Sequence, residues 1–277
     1  MAYGDEMDLD DELCWACRQV NDDECDVLER VRELLSAGAS PNSTQSSDGY
    51  KALGLAAEWS PAIVETLLEA GADARFGDMH DGSAPLVYAA MAGNVECAAL
   101  LLAHGADPNG YLNGRPQSDT PPLLCAVFSG ERSVEMTELL LDAAANPNAP
   151  RCVPDWSNDQ SEGETALHRA ARVSDGPTAA KLCTLLIERG ADHKACDKIG
   201  RTALHSCAEH GTAQAAQALI DFGADPTKRD DHGFSPASRA RLRDNDKPLG
   251  VLISAEERAD LERSAITPSA TRGRARM

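Results

Sequence analysis

The chain has 277 residues, of which 42% are hydrophobic and 4% aromatic, and its formal charge is −19. The composition is that of a folded domain with few large rings and excludes wholesale disorder. The longest apolar run, residues 97–103, is far below the ~18 residues of a membrane span, and the acidic charge disfavours direct nucleic-acid binding.

The charge is distributed unevenly along the chain. Residues 1–26 carry ten acidic residues and Arg18, a net −9, whereas residues 261–277 carry a net +3. We predict an acidic disordered segment at 1–11 and a basic disordered tail at 263–277. The acidic start does not fit a secretory signal, and nine cysteines are an odd number. We therefore expect reduced thiols in a cytoplasmic or nuclear protein.

Two short phrases alternate along the sequence. One reads Leu-Leu-Ala-His-Gly-Ala-Asp at 101–107, and its glycine position recurs at 38, 71, 105, 144 (as Ala), 190 and 223. The other reads Thr-Ala-Leu-His-Arg-Ala-Ala at 165–171 and recurs, almost unchanged, at 202–208. Two phrases in a fixed order, mostly 33 or 34 residues apart, are the signature of a repeat protein.

These phrases resemble the ankyrin repeat, which has a period of about 33 residues and the motif T-P-L-H-x-A. The resemblance covers residues 12–262. It implies an all-α ankyrin-repeat solenoid of about seven helix–turn–helix repeats, joined by fingers that are like β-hairpins. The predicted repeats are 12–42, 48–75, 81–109, 119–148, 162–193, 199–227 and 232–262.

Each repeat is predicted to contain two short helices. Thr, Ser or Pro starts the first helix, and paired alanines such as Ala89–Ala90 allow neighbouring first helices to approach closely. The Leu-Leu pair of the second helix is buried, and a left-handed glycine such as Gly105 ends this helix. Ala144 stands at that glycine position in the fourth repeat, so we expect this repeat to be the least regular.

The sequence offers little sign of catalysis. Cys14-Trp15-Ala16-Cys17 has the spacing of a redox or zinc motif, but it aligns with a core segment of the other repeats, so we predict two small core residues. Phosphate-binding glycine loops and hydrolase motifs are missing. We predict a protein that is not an enzyme, with no cofactor and no metal.

The resemblance implies that a partner binds on the concave side, where the first helices and the fingers are exposed. The register places apolar side chains there in repeats two to four and cationic ones in repeat five, while two long fingers, 110–119 and 149–163, add aromatic residues. For Trp59 and Phe128 the alternative is packing beneath their neighbours, and for the fingers it is a tolerated insertion. The candidate partner-binding residues are Trp59, Tyr88, Met91, Phe128, Arg169, Arg172, Tyr111 and Trp156.

Three functions remain open on these grounds. The first is a monomeric, non-enzymatic scaffold or adaptor that binds another protein, with no direct contact to nucleic acid or membrane. The second is an acidic chaperone or inhibitor of a basic protein, which strongly salt-dependent binding would distinguish. The third is a substrate-recruiting subunit of a ubiquitin ligase.

Overall fold

The structure, a computed structural model, describes residues 8–266 apart from 20–22, 79–81, 113–114, 117–119 and 153–161. In these residues the α-helices follow one another as seven pairs, one for each predicted repeat. The pairs are α1 (Leu9–Cys17) with α2 (Glu24–Ala37), α3 (Ala52–Ala57) with α4 (Pro61–Glu69), α5 (Pro85–Ala92) with α6 (Val95–Ala103), α7 (Pro122–Ala126) with α8 (Ser133–Asp142), α9 (Ala166–Ala170) with α10 (Gly176–Glu188), α11 (Ala203–His210) with α12 (Ala213–Asp221), and α13 (Pro236–Leu242) with α14 (Asp246–Ile266).

The chain divides into two compact bodies, residues 1–166 and residues 167–277. In the first body the first helices α1, α3, α5 and α7 pack in succession, and the second helices α2, α4, α6 and α8 form the layer behind them. In the second body α11 packs on α13, and α10, α12 and α14 pack in succession. Within each body, a helix pair therefore buries its apolar face mainly against the next pair along the chain.

Small residues fill the contacts between successive first helices. Ala56, Ala57, Ala89 and Ala90 are completely buried. The second helices contribute the first leucine of each Leu-Leu or Leu-Ile pair, and all six of these leucines are at most 2% exposed. The buried alanine pairs agree with the sequence prediction. The predicted burial of both residues of each Leu-Leu or Leu-Ile pair needs correction, because four second residues are only partly buried: Leu35, Leu102, Ile187 and Ile220.

Side-chain caps begin most of the second helices. Ser60 Oγ accepts the Ile63 N–H at 3.2 Å, Asn94 Oδ1 accepts the Cys97 N–H at 3.1 Å, and Thr212 Oγ1 accepts the Ala215 N–H at 3.3 Å. Each bond satisfies a backbone donor that the helix itself leaves unpaired. Short polar residues therefore set where these helices start.

The fingers are the connections between consecutive repeats. Asn42 Oδ1 accepts the Asp73 N–H at 2.8 Å, and Asn109 Oδ1 accepts the Asn146 N–H at 2.7 Å, so side chains tie neighbouring fingers together. In the long finger after the third repeat, β1 (Tyr111–Leu112) pairs antiparallel with β2 (Arg115–Pro116). At the second long finger, the Arg151 N–H donates to Glu164 O at 2.7 Å and closes its base.

The end of the fourth repeat carries the backbone strain that the sequence indicates. The glycines at the corresponding positions have φ between 87° and 105°, and Ala144 has φ 66° in the same left-handed region. A Cβ atom makes this conformation costly, by about 1–2 kcal/mol. Gly105, one repeat earlier, has φ 87°, and an added Cβ there would meet nothing within 4 Å.

We expect Ala144→Gly to raise the free energy of unfolding by about 0.5–1 kcal/mol, because the strain relieved exceeds the extra freedom of the unfolded chain. Gly105→Ala is the matched reverse exchange and should lower it by a similar amount, since no steric contact contributes. Urea unfolding followed by circular dichroism measures both. If both variants changed the free energy of unfolding in the same direction, strain at Ala144 would not be the cause.

Both predicted ends of the repeat region need correction. Helix α1 begins at Leu9, within the segment 1–11 predicted as disordered, because Asp10 accepts the Ser40 N–H at 2.8 Å and Asp11 the Ser46 N–H at 2.7 Å. Helix α14 continues to Ile266, four residues beyond the predicted repeat boundary, and Arg263 contacts Thr227 and Asp225. Contacts to the first finger therefore accompany the extension of α1, and contacts to the sixth repeat accompany that of α14.

Candidate functional site

The Cys-x-x-Cys motif lies in the core. Cys14 and Cys17 are 0% exposed, and the Cys14 thiol lies 3.5 Å from Ser43 Oγ. Burial raises the pKa of both thiols, which is the opposite of what a reactive cysteine needs. The prediction that these two residues are small core side chains is confirmed.

Four apolar or aromatic side chains of the first body form what we call the aromatic surface: Tyr50, Tyr88, Met91 and Phe128. The Tyr50 and Tyr88 rings meet edge to face, with centroids 6.4 Å apart and planes at 70°. Gly54 makes room for this arrangement, since a Cβ at that position would lie 3.2 Å from Tyr88 Cδ2. Tyr88 is therefore half-buried and held in one orientation.

Met91 and Phe128 are the most accessible members of the aromatic surface. Met91 on α5 is 61% exposed, and Phe128, just after α7, is 49% exposed. Met91 follows Ala89–Ala90, and Phe128 follows the equivalent pair Ala126–Val127. Helix α5 packs directly on α7. Their exposure removes the alternative that Phe128 is a core residue.

Cationic side chains border these rings. The Arg18 guanidinium lies 5.2 Å from the Tyr50 ring centroid and pairs with Asp48 at 3.0 Å. Lys51 Nζ lies 5.3 Å from the ring centroid of Phe76, a finger residue that is 41% exposed. In a contact of this kind the cationic side chain and the ring hold each other in one orientation at a partly exposed surface.

The other predicted aromatic residues have different environments. Trp59 is half-buried, and its Nε1–H donates to Cys17 O at 2.9 Å, so its polar edge is used within the fold. Tyr111 pairs through its backbone with Pro116 in the β1–β2 hairpin. Trp156 lies outside the described residues.

Sequence reasoning missed Trp15, whose side chain is 50% exposed. The signal was available, because the alignment of Leu13–Arg18 with the other repeats puts Trp15 at the position that Tyr88 occupies in the third repeat.

The predicted binding residues of the second body are charged, whereas those of the first body are aromatic or apolar. Arg169 and Arg172 are half-buried. Five further side chains form an acid–arginine network. Arg201 pairs with Asp197 at 2.7 Å and with Glu209 at 3.1 Å, while Arg239 pairs with Glu209 at 2.8 Å and with Asp230 at 2.5 Å. The three carboxylates are at most 5% exposed, so Glu209 joins the last two repeats through buried ion pairs.

The histidines of the Thr-Ala-Leu-His motifs are structural. His205 Nδ1 accepts the Thr202 N–H at 3.2 Å, and its Nε2 contacts Phe234 O at 3.1 Å. Because the amide N–H can only donate, Nδ1 is unprotonated and Nε2 carries the hydrogen. His168 Nε2 similarly contacts Arg201 O at 3.0 Å. Each of these histidines therefore contacts the finger that follows its repeat.

Burial lowers the pKa of His205, although the bond to Phe234 O opposes the shift. The unfolded chain binds a proton here below about pH 6.5, whereas the folded chain binds it only at a lower pH. We therefore expect the contribution of His205 to the free energy of unfolding to be fully present above this pH. Between pH 7 and 5 the free energy of unfolding should fall, by at most about 1.4 kcal/mol per pH unit.

His205→Asn tests this expectation, since its unfolding free energy should lose that part of the pH dependence whatever its value at pH 7. His232→Gln, at an exposed position, is the control and should keep the native profile. A profile unchanged in His205→Asn would assign the pH dependence to other groups. Guanidinium titrations at several pH values provide the measurement.

The described residues also bear on metal sites and on membrane-spanning helices. Within the ranges that the structure covers, no three His, Cys, Asp or Glu side chains are grouped so that they could bind a metal ion. No helix in those ranges combines the length and the apolar character needed to cross a membrane.

Stacked helix pairs with left-handed glycine ends and linked fingers define a helical repeat protein. A family model described as ankyrin repeats (3 copies) matches residues 13–111, 71–151, 150–230 and 173–262. The chain belongs to the ankyrin-repeat family, whose members are protein–protein interaction modules and are typically non-enzymatic. The predicted all-α ankyrin fold is thereby confirmed.

Relatives among curated proteins share the repeat region. The chain is 28% identical over 277 aligned residues to the E3 ubiquitin-protein ligase KEG of Arabidopsis thaliana, which covers 83% of this chain and 16% of that protein. It is 32% identical over 146 residues to human ankyrin repeat domain-containing protein 63, covering 53% of this chain and 36% of the relative. Human ankyrin repeat and SOCS box protein 16 is 29% identical over 205 residues, 64% of this chain and 43% of the relative. The chain spans less than half the length of these relatives.

Solved structures show the same fold. The human ASB11 ankyrin repeat domain superposes with a TM-score of 0.69 at 24% identity, over 88% of this chain and 97% of that one. A second match, with TM-score 0.59, 27% identity and 74% and 98% coverage, comes from the Bd0816 predatory endopeptidase of Bdellovibrio bacteriovorus in complex with immunity protein Bd3460.

Proposed function

We propose that this chain is a non-enzymatic adaptor that binds a partner protein on its aromatic surface. The observation that carries the proposal is the exposure of Met91 and Phe128 at equivalent positions of adjacent repeats. Tyr88, three residues before Met91 on α5, is fixed against Tyr50. Exposed apolar side chains with aromatic neighbours and a charged rim are the usual composition of a binding hot spot.

The rigidity of this surface supports the proposal. Tyr88 is oriented by Tyr50 and by the space above Gly54, and Arg18 is fixed between Tyr50 and Asp48. Side chains that are already ordered lose little conformational entropy when a partner binds. A partner with apolar side chains spaced to contact both Met91 and Phe128 is the expected ligand.

The test is affinity capture with the full chain, comparing Met91→Ala plus Phe128→Ala with a matched pair, Phe222→Ala plus Leu261→Ala. The control pair also removes two exposed apolar side chains, 37% and 70% accessible, but outside the aromatic surface. We expect the first pair of substitutions to weaken partner binding at least about tenfold. The control pair should leave the partner bound. Equal retention by both pairs would exclude the aromatic surface. Thermal melts that agree within 2–3 °C, about 1 kcal/mol or less, would show that both variants fold.

A second candidate is a substrate-recruiting subunit of a ubiquitin ligase. The names of two relatives favour it, since one is an E3 ubiquitin-protein ligase and another carries a SOCS box. In the same capture experiment this function requires a ligase component that stays bound to the Met91→Ala plus Phe128→Ala variant while the substrate is lost. Capture without any ligase component leaves the simple adaptor as the better description.

The acidic chaperone differs from both in its salt dependence. A chain of charge −19 that holds a basic protein by long-range attraction should release it when ionic strength rises from about 50 to 300 mM. Binding through the aromatic surface should change little over that range, because burial of apolar area is insensitive to screening.

A further inference from the structure

A cavity lies between α1 and α2, and its described lining residues include none of the aromatic surface. Its volume is about 240 Å³. Trp15, Asp23, Asp26 and Val27 are among the residues that line it. The volume is below the ~300–1,000 Å³ of most small-molecule sites, which suits a single side chain better than a cofactor.

The lining combines the three features that a long cationic side chain requires. Trp15, which is 50% exposed, lines the cavity with an indole, the best aromatic partner for a cation. Asp23 and Asp26 are both exposed at the start of α2 and supply two carboxylates. Val27 and Ala16, both buried, give an apolar floor for the methylene stem.

The cations already near the cavity are engaged elsewhere. Arg30 lines the cavity, but its guanidinium pairs with Glu33 at 3.0 Å and with Glu12. Arg18, the other cation of this region, is held by Asp48 and the Tyr50 ring. The two carboxylates beside Trp15 therefore face a cavity whose local charge is negative, within a stretch of net charge −9 over residues 1–26.

We propose that the cavity between α1 and α2 binds the lysine or arginine side chain of a basic protein segment. Charge complementarity selects this occupant, because carboxylates beside an indole face attract a cation and repel acidic or phosphorylated groups. The proposal goes beyond the adaptor function and does not depend on it, since the aromatic surface contributes no residue to the cavity.

The test follows the three tryptophan indole N–H signals of the full chain by ¹H–¹⁵N NMR, assigned with Trp15→Phe. The probes are Nα-acetyl-lysine methylamide, its arginine counterpart and the uncharged Nε-acetyl-lysine analogue. We expect the Trp15 signal to move saturably with both charged probes, with a dissociation constant on the order of 10 mM. The Trp59 signal should keep its chemical shift, because its indole N–H donates to Cys17 O.

Neutralising variants separate a specific site from general attraction. Asp23→Asn plus Asp26→Asn should weaken binding of the lysine probe about fivefold. Asn at position 23 can still accept the Cys25 N–H, which Asp23 accepts at 2.9 Å, so the helix cap is kept. Glu29→Gln, on the same helix but outside the cavity, should have little effect. The proposal is overturned if Trp15 shows no saturable shift up to about 50 mM. An equal response to the uncharged probe, or an equal loss in Glu29→Gln, would also overturn it.

Discussion

Replacing Glu209 by alanine is expected to lower the free energy of unfolding by about 3–5 kcal/mol. Its carboxylate, 5% exposed, accepts from Arg201 at 3.1 Å and from Arg239 at 2.8 Å. Removing it takes one of two carboxylate partners from each largely buried guanidinium, so that Arg201 keeps Asp197 and Arg239 keeps Asp230. The guanidinium N–H groups that donated to Glu209 then lose that acceptor inside the fold. Loss of one member of a buried ion network costs much more than the network contributes as a whole, because the remaining charges stay desolvated.

The contrasting variant is Glu96→Ala, which removes an exposed partner. Glu96 pairs with Arg132 through two bonds, but its side chain is 57% exposed. Water replaces the lost contact, so the expected cost is below about 1 kcal/mol. Urea unfolding at pH 7 compares the two, and similar losses would show that burial of the acid–arginine network does not govern its contribution.

Gly211→Ala should be the second most damaging exchange, at about 3 kcal/mol. Gly211 has φ −88°, which any residue can adopt, so the reason is steric. A Cβ there would lie 2.2 Å from Ala171 O and 2.7 Å from Cys207 Sγ. The first of these atoms belongs to the backbone of the preceding repeat, so the clash is relieved only by moving α11 away from it.

Gly250→Ala provides the same chemical change without the clash. Gly250 lies in α14, and an added Cβ meets nothing within 4 Å. The variant should gain about 0.5–1 kcal/mol through helix propensity. Thermal melts of the two variants should therefore shift in opposite directions, and a small loss for Gly211→Ala would indicate that the repeats separate easily.

The repeat phrases predict local structure well because each phrase encodes contacts within one repeat or to its neighbour. The glycine positions predict the left-handed helix ends, and Ala144 correctly marks the exception. The same register finds Met91 and Phe128, since it alone decides which side of a first helix they occupy. The predicted binding role of these residues, and of Arg169 and Arg172, stays a prediction.

Features that depend on distances between repeats were not predicted. The contact of Arg239 with Glu209 joins residues 30 positions apart, and the scattered carboxylates of the sequence give no sign of which one is buried. The bond from Trp59 to Cys17 O and the extension of α1 to Leu9 have the same origin. Each requires knowledge of side-chain reach across a packed interface, which periodicity does not contain.

The buried cysteines give the molecule a set of internal reporters. Cys17, Cys97, Cys183 and Cys207 are distributed over the first, third, fifth and sixth helix pairs and are all 0% exposed, and burial raises the pKa of Cys97 and Cys207 to about 12. An alkylating reagent reaches such a thiol only when its helix pair opens. Mass spectrometry of thiol-trapped protein therefore ranks the opening rates of these helix pairs in the unmodified native chain, with exposed Cys25, Cys152 and Cys196 as the fast reference.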